Sequence, residues 1–508
     1  INLMKSFDKN QLFLKIRRSV AVVTFFVIAF SPSVIYAETI SLGEENSWFR
    51  IHNVGSKLAE VEIAYFDQKG NQVLADGCNK NLPCKNIESE KSWTFFQQSQ
   101  TGMKIGFRGS AFITSTQPFV TLMGRDAFKN DQFQIAGDTL RLLPHTQRQI
   151  LPIVQNNNDF ISRISVQNLD KKKYGCILIK LVSNEDVLNL EEYYNFDKTF
   201  CPSGGISMPP KASITIDEEI LSKVGFFDGF VIIDALNNSE GFSSYDQSYF
   251  ASVETREKNG SGLTQYRGID ADEVSTDVVL PIVDKNHNAN NMNWNVAYRI
   301  VNNDIFKENK VNFLYQGVDN NANYYEFEHT VLFSKMLDCD LRLQLSSKCI
   351  PNQLLDISNF KGTVRIKADQ GIAVVAQLYA SDKLLGDYRG LTAEDASRQL
   401  FMPVLNKNYG PFGDAIGWNS WYRVFTFDGQ DAKIKQYYFS NKNDNVVSPT
   451  MTLNREKTFF QKDSILLNNK WVGSGYIVSD KPIVGVVFLL NENFQGDNLL
   501  MYNAVSLE

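Results

Sequence analysis

Histidine is scarce in this chain of 508 residues: four occur, at positions 52, 145, 287 and 329. None stands in an H-E-x-x-H or other metal-ligand spacing, and they fall in different parts of the chain. No G-x-S-x-G nucleophile motif and no phosphate loop occurs, which removes the common hydrolase and nucleotide-binding signatures. Cysteine is limited to six residues without a C-x-x-C pair and without a neighbouring histidine, which argues against a zinc site. Convincing amphipathic helices are missing, and past residue 37 no apolar run is long enough for a membrane helix. Basic residues are outnumbered, with Lys+Arg 51 against Asp+Glu 57. That balance argues against nucleic acid and against an electrostatic hold on an anionic membrane.

The first segment reads as an export signal. Lys5, Lys9, Lys15, Arg17 and Arg18 form a basic start, "VAVVTFFVIAF" (Val20–Phe30) an apolar stretch, and "SPSVIYA" a cleavage region ending at Ala37. Without residues 1–37 the chain carries 46 basic and 56 acidic residues, a net charge of −10.

What the chain does have is aromatics, with 36 Phe and 20 Tyr, and repetition. "WNVAYR" at Trp294 returns as "WNSWYR" at Trp418. Around it, markers recur in one order. An Arg-bearing strand reads "WFRIHN", "SRISVQN", "AYRIVNN" and "WYRVFTF", which places Arg50, Arg163, Arg299 and Arg423 at equivalent positions. "LPIV" (Leu151–Val154), "LPIV" (Leu280–Val283) and "MPVL" (Met402–Leu405) precede the last three. Alternating hairpins follow, such as "AEVEIAYFDQKGNQVL" (Ala59–Leu74), with one dry and one wet face. Next comes a glycine marker: "FRGSAFITSTQPFVTL", "FKGTVRIKADQGIAVVAQL" and "VGSGYIVSDKPIVGVVFL" each read as strand, polar turn and second strand. "QYRG" (Gln265–Gly268), "DYRG" (Asp387–Gly390) and "MYNA" (Met501–Ala504) close the copies, with "QIAG" (Gln134–Gly137) as an echo.

The Arg-to-Arg distances are 113, 136 and 124 residues. Units of that size with about seven short strands fit antiparallel sandwiches of immunoglobulin-like kind. The expected fold is therefore all-β: four tandem immunoglobulin-like antiparallel β-sandwich domains after a signal peptide. The expected boundaries are 1–37 for the signal, then 38–146, 147–274, 275–396 and 397–508. In W-N-x-x-Y-R the Trp and Tyr share one face of an extended segment and anchor the sandwich, while the Arg pairs on the wet face.

The cysteines partition with the copies: Cys78 with Cys84, Cys176 with Cys201, and Cys339 with Cys349. This points to three local disulfides in an exported chain. Each closes a small loop and adds roughly 2–3 kcal/mol. Two other candidate sites emerge. Trp294, Trp418 and Trp421 would form a sugar-stacking platform if exposed and aligned. "DKNHNANN" offers Asp284, Asn286 and Asn288 at alternate positions, like the start of a calcium loop, but lacks its glycine and closing Glu. Asn-rich turns are the default reading, and no other cofactor is expected.

The ordered set of L-P segment, Asn-rich loop, W-N-x-x-Y-R strand, hairpin, glycine marker and Y-R-G resembles tandem β-sandwich repeats of secreted bacterial proteins of unknown function. The resemblance implies fold and export and transfers no site residues. The expectation is a non-enzymatic secreted or cell-surface protein, its domains in a rod or curved stalk. Its role is structural, adhesive or in assembly, with a protein or glycan at the cell surface, or a second copy, as partner. The alternatives are a glycan-binding array and a secreted hydrolase, the latter at the irregular insertion of residues 237–250. Exposed strand edges are the expected contact surfaces.

Overall fold

The computed structural model describes residues 45–506 apart from 77–84, 101, 130–131, 141–146, 194–195, 202–203, 238–246, 290–291, 343–347, 382, 411–416, 441–444 and 492–494. The export segment lies outside the described residues. So do Cys78 and Cys84, and with them the expected first-copy disulfide. Among the described residues the architecture is all-β, in five sheets, and every strand pairing but one is antiparallel. The α-helices among the described residues are the short Glu218–Val224 and Asn352–Leu355.

Each sequence copy contributes the same strands. A central strand carries the Arg marker: Glu45–Asn53, Phe160–Asn168, Met292–Asn302 and Asn419–Thr426. A leading strand carries the L-P marker in the last three copies: Arg148–Asn156, Ser275–Lys285 and Ser397–Lys407. The closing strand carries Y-R-G or its counterpart: Gln132–Leu140, Leu263–Arg267, Leu384–Arg389 and Leu499–Asn503.

The reason these segments repeat is local packing. Gly109, Gly229, Gly362 and Gly473 each follow an aromatic by two residues, and a Cβ there would strike the ring of Phe107, Phe227, Phe360 or Trp471. Only glycine lets the aromatic lie across its own strand. At the far end of the central strand a buried Asn organises the next loops. The Asn53 side chain donates to Lys57 O and Ile87 O at 2.8 and 2.9 Å, and Asn302 to Asp304, Lys307 and Ser334 carbonyls at 2.7–2.8 Å. Asn168 does the same for Lys173, Met208 and Pro209 at 3.0–3.1 Å. These buried or half-buried loop carbonyls gain a partner from one side chain.

Aligning the copies on this Asn corrects one expectation. Arg50, Arg299 and Arg423 stand three residues before Asn53, Asn302 and Thr426, but the residue three before Asn168 is Ser165, not Arg163. Likewise the first-copy counterpart of Y-R-G is Asp138-Thr139-Leu140, immediately after the "QIAG" echo and three residues beyond its I-A-G, as the strand registers show. A second correction concerns the glycine marker. In the third and fourth copies no turn interrupts it: Phe360–Ala380 and Trp471–Leu490 run as single strands of 21 and 20 residues. Each pairs with the leading strand in its first half and the central strand in its second. Pro482 sits where the strand passes from one pairing set to the other, a place that tolerates a missing N–H.

The copies do not line up as a rod. The closing strands meet around a hub: Gln132–Leu140 touches Leu263–Arg267, which touches Leu384–Arg389, which touches Leu499–Asn503, which returns to Gln132–Leu140. The chain closes on itself, and the short segment Gly496–Asp497 of the last copy adds in parallel to Phe133–Gln134 of the first.

Three of the four seams between copies are apolar. Val301, Ile305 and Val375 of the third copy enter the core of the second, and Phe425, Val486 and Phe488 of the fourth enter that of the third. Trp48, Leu122 and Ile135 of the first enter that of the fourth. The seam between first and second copies is polar, built on Glu45, Arg125, Arg163, Glu254 and Arg256. It lies where the first copy carries no L-P marker in its sequence.

Candidate functional site

The tryptophans do not form an exposed platform. Trp294 is 3% exposed, its indole N–H donating to Ala289 O at 3.1 Å. Trp421 stacks on Phe488 with ring centroids 3.4 Å apart and meets Trp294 edge-on at 6.1 Å. Trp418 is half-buried against Phe133 of the first copy at 5.9 Å. Trp421 packs at a seam because the face of its central strand that would be wet in an isolated sandwich is covered by a neighbouring copy, whereas Trp294 lies on the opposite face with Tyr298, in the core of its own copy.

The repeated arginines follow the same logic and are not on a wet face. Arg299, 6% exposed, reaches Gly229 O at 2.6 Å and Asp228 at 2.8 Å in the second copy and Asp338 at 2.5 Å in its own. Arg50 donates to Pro403 O of the fourth copy at 3.3 Å.

Asp284, Asn286 and Asn288 are not gathered around one point. Asp284 is buried, and burial pushes its carboxyl up to about 6 against the nearby cations Arg423 and Lys361. Asn286 lies in a left-handed turn at φ 46° with its backbone N–H on Asn295, and Asn288 is exposed.

Of the three expected disulfides, two form: Cys176–Cys201 and Cys339–Cys349, with Cα atoms 5.6 and 5.7 Å apart. The third, between Cys78 and Cys84, falls on residues outside the described ones and stays an expectation from the sequence. Two disulfides fit an oxidising, extracytoplasmic environment. No helix among the described residues is long and apolar enough to cross a membrane.

The densest buried chemistry lies at the hub. Asp497, fully buried, accepts the backbone N–H groups of Leu263 at 2.8 Å, Leu385 at 3.2 Å and Leu499 at 3.2 Å, one from each of three copies, while its own strand segment pairs with a fourth. Burial pushes its carboxyl well above the usual range, opposed by those N–H donors. Asp138 accepts the Arg267 N–H at 2.9 Å and lies 3.4 Å from the Arg389 guanidinium. Arg267, 1% exposed, grips Glu273 with two bonds of 2.6 Å. Burial opposes the charge of Glu273, but the guanidinium prevails and holds it down to about 2. Thr139 donates to Asn503 O at 2.8 Å, and Asn503 to Arg389 O at 3.0 Å. Asp387, 3% exposed, has no full hydrogen bond to either oxygen, although Thr264 and Gln377 lie beside it. Burial pushes it up to about 7, and the Asp138 charge adds to the rise.

In the last three copies a tyrosine fixes the closing strand to its own copy. Tyr266 donates to Ile153 O at 2.7 Å, Tyr502 to Val404 O at 2.5 Å, and Tyr388 to Ile282 O. Each acceptor is the residue after the proline of the L-P marker. The sequence displays the Tyr and the Pro in every copy that has both; the bond between them appears only in three dimensions. Asp497 carried no repeat signal, since it belongs to an insertion without counterparts.

These groups bind copies to one another. His52 is fully buried, pushed down to about 3 by burial and by Arg50, and His329 Nε2 donates to Lys348 O at 2.7 Å. A cleft of about 400 Å³ separates the second and third copies, with Arg148, Lys180 and Ile232 on one side and Ile305 and Phe306 on the other. Both cations there are taken by Asp234, at 2.6 and 2.9 Å.

No family model and no curated protein matches the chain. Among solved structures, the chain is similar to a crystal structure of a tetra-tandem repeat in the extending region of a large adhesion protein. Identity is 10%, over 90% of this chain and 93% of that one, with a TM-score of 0.09. A score that low is no likeness of overall fold, and nothing passes from that protein to this one.

Proposed function

We propose that the chain is an exported, non-enzymatic scaffold whose four copies close into a ring, with an adhesive or assembly role at the cell exterior. One observation carries the reading: Asp497 ties backbone from three copies while its segment extends a strand of the first. Stability, not turnover, is what such a joint supplies. The two disulfides support export, and the dispersed histidines support a non-catalytic role. A closed ring holds the loops of all copies in fixed relation, which a flexible string of domains does not.

Small-angle scattering from residues 38–508 tests this. A closed particle of this length has a radius of gyration of about 23 Å, whereas four separate beads in a row would give about 40 Å or more. The larger value would sink the ring.

A further inference from the structure

In each copy the hairpin strand has an outermost neighbour, and in three copies that neighbour is broken. Ala59–Asp67 is flanked by Gln72–Asp76 and Lys85–Ile87, Gly175–Val182 by Val187–Asn189 and Ile206–Met208, and Ala432–Ser440 by Val446–Val447 and Met451–Leu453. Pieces of two to five residues are too short to template another strand, a common way of blunting an edge. The third copy departs from this. Its outer strand, Tyr324–Phe333, is continuous over ten residues and pairs with Asn309–Val318 along its whole length. It ends the sheet, and among the described residues no backbone group bonds to its other side.

Its side chains alternate strictly. Tyr325, Phe327, His329, Val331 and Phe333 turn inward, and Tyr324, Glu326, Glu328, Thr330 and Leu332 are exposed. Tyr324 and Leu332, at the two ends, are 57% and 56% exposed. Glu326 accepts from Gln316 and Tyr324 at 2.8 and 2.9 Å with the Arg455 charge nearby, and among the described residues neither it nor Glu328 forms an ion pair within 4 Å. The outer row is thus two central carboxylates between two apolar ends.

We propose that Tyr324–Phe333 is a strand-addition site for an extended segment of a partner protein that carries Lys or Arg at two alternate positions flanked by apolar residues. The inference deepens the scaffold reading and rests on it. Main-chain bonds supply the affinity and the alternating side chains the selection. A second copy of this chain is the poorer occupant. Antiparallel self-pairing that keeps faces together sets Glu328 against Glu328 when centred there, or Glu326 against Glu328 twice when centred on Phe327. Centred on His329, it sets Glu326 against Leu332. Like charges directly opposite destabilise a pair and opposite charges favour it.

The test uses a fluorescent peptide of about ten residues, Thr-Val alternating, with lysine at two central positions on one face. Its control carries Glu at both. Anisotropy titration against residues 38–508 should show saturable binding of the lysine peptide and at least about tenfold weaker binding of the control. The E326K/E328K double variant should reverse that order. No saturable binding, or lysine-peptide binding that ignores the double variant, overturns the proposal. So does a concentration-dependent dimer of the unaltered chain that the lysine peptide cannot displace, which would make a second copy the occupant. Scattering on the same samples separates the failures: a compact particle without peptide binding loses only the edge, whereas an extended particle loses the ring.

Discussion

The Asp497 carboxylate accepts the backbone N–H of Leu263 at 2.8 Å, across 234 residues of sequence. The same oxygen takes Leu385 N–H and its neighbour takes Leu499 N–H. A short side chain from an insertion in the last copy therefore serves as a common acceptor for three copies. Because burial favours its protonated form, the joint depends on acceptor oxygen more than on charge. Asp497→Asn, which keeps an oxygen toward Leu263 and Leu385 but turns an NH2 toward the Leu499 N–H, should cost about 1–2 kcal/mol, and Asp497→Ala, which strands all three buried N–H groups, about 2–4 kcal/mol. Urea denaturation of the two variants checks this. Equal losses would mean that the charge itself holds the hub.

The tyrosine bonds make a separable prediction. Tyr266→Phe and Tyr502→Phe each delete one hydroxyl and leave the ring in place, exposing the Ile153 or Val404 carbonyl to no partner. Each should cost about 1–2 kcal/mol. The two sites lie in different copies, so the double variant should lose the sum within about 0.5 kcal/mol. A marked shortfall from additivity in equilibrium denaturation would show that the copies share these bonds through the hub.

Much of this was legible in the sequence, and the limits have a physical pattern. Strand content, repeat order and the pairings Cys176–Cys201 and Cys339–Cys349 follow from period-two alternation and local spacing, which act within one copy. Trp294 anchors the sandwich as its spacing from Tyr298 indicates, but the setting of Arg299 was misjudged because it depends on what covers the outer face of a strand. A half-polar strand face reads as wet whether water or another copy lies against it. The misplaced Arg163 has a related cause: a motif match fixes residue type but not register, and the buried Asn168 fixes register. The hub was out of reach because Asp497 and Asp387 meet partners in other copies, and no repeat comparison reports a contact between repeats.

Asp387 predicts a pH dependence with a definite sign. Its folded value of about 7 stands above the unfolded value of about 4, so the folded state binds the proton more tightly. Stability therefore falls as pH rises from about 4 through about 7 and is constant in this respect above that. Asp387→Asn should match the parent near pH 4 and exceed it at pH 8. Thermal midpoints at the two pH values decide it: a variant no more stable than the parent at pH 8 would mean that water or a cation compensates the carboxylate.

The polar seam should fail first in acid. Glu45 receives Arg125 and Arg163 at 2.7 and 2.8 Å through one oxygen and Arg256 at 2.7 Å through the other. Burial opposes its charge, but the bond from Arg163 and the three guanidinium charges hold it down to about 2. A carboxylate depressed in this way contributes stability above its unfolded value of about 4 and loses it as pH falls toward about 2. The other three seams have apolar cores and, among the described residues, hold fewer ion pairs, such as Arg299 with Asp228 at 2.8 Å. Hydrogen exchange along an acid series should therefore show protection lost at Glu45–Asn53 and Phe160–Asn168 before it is lost at Met292–Asn302. Glu45→Gln should move that loss to higher pH, since it leaves three arginines around a neutral amide. Simultaneous loss at all three strands would mean that the ring opens as one cooperative unit and that the seam is not its weak point.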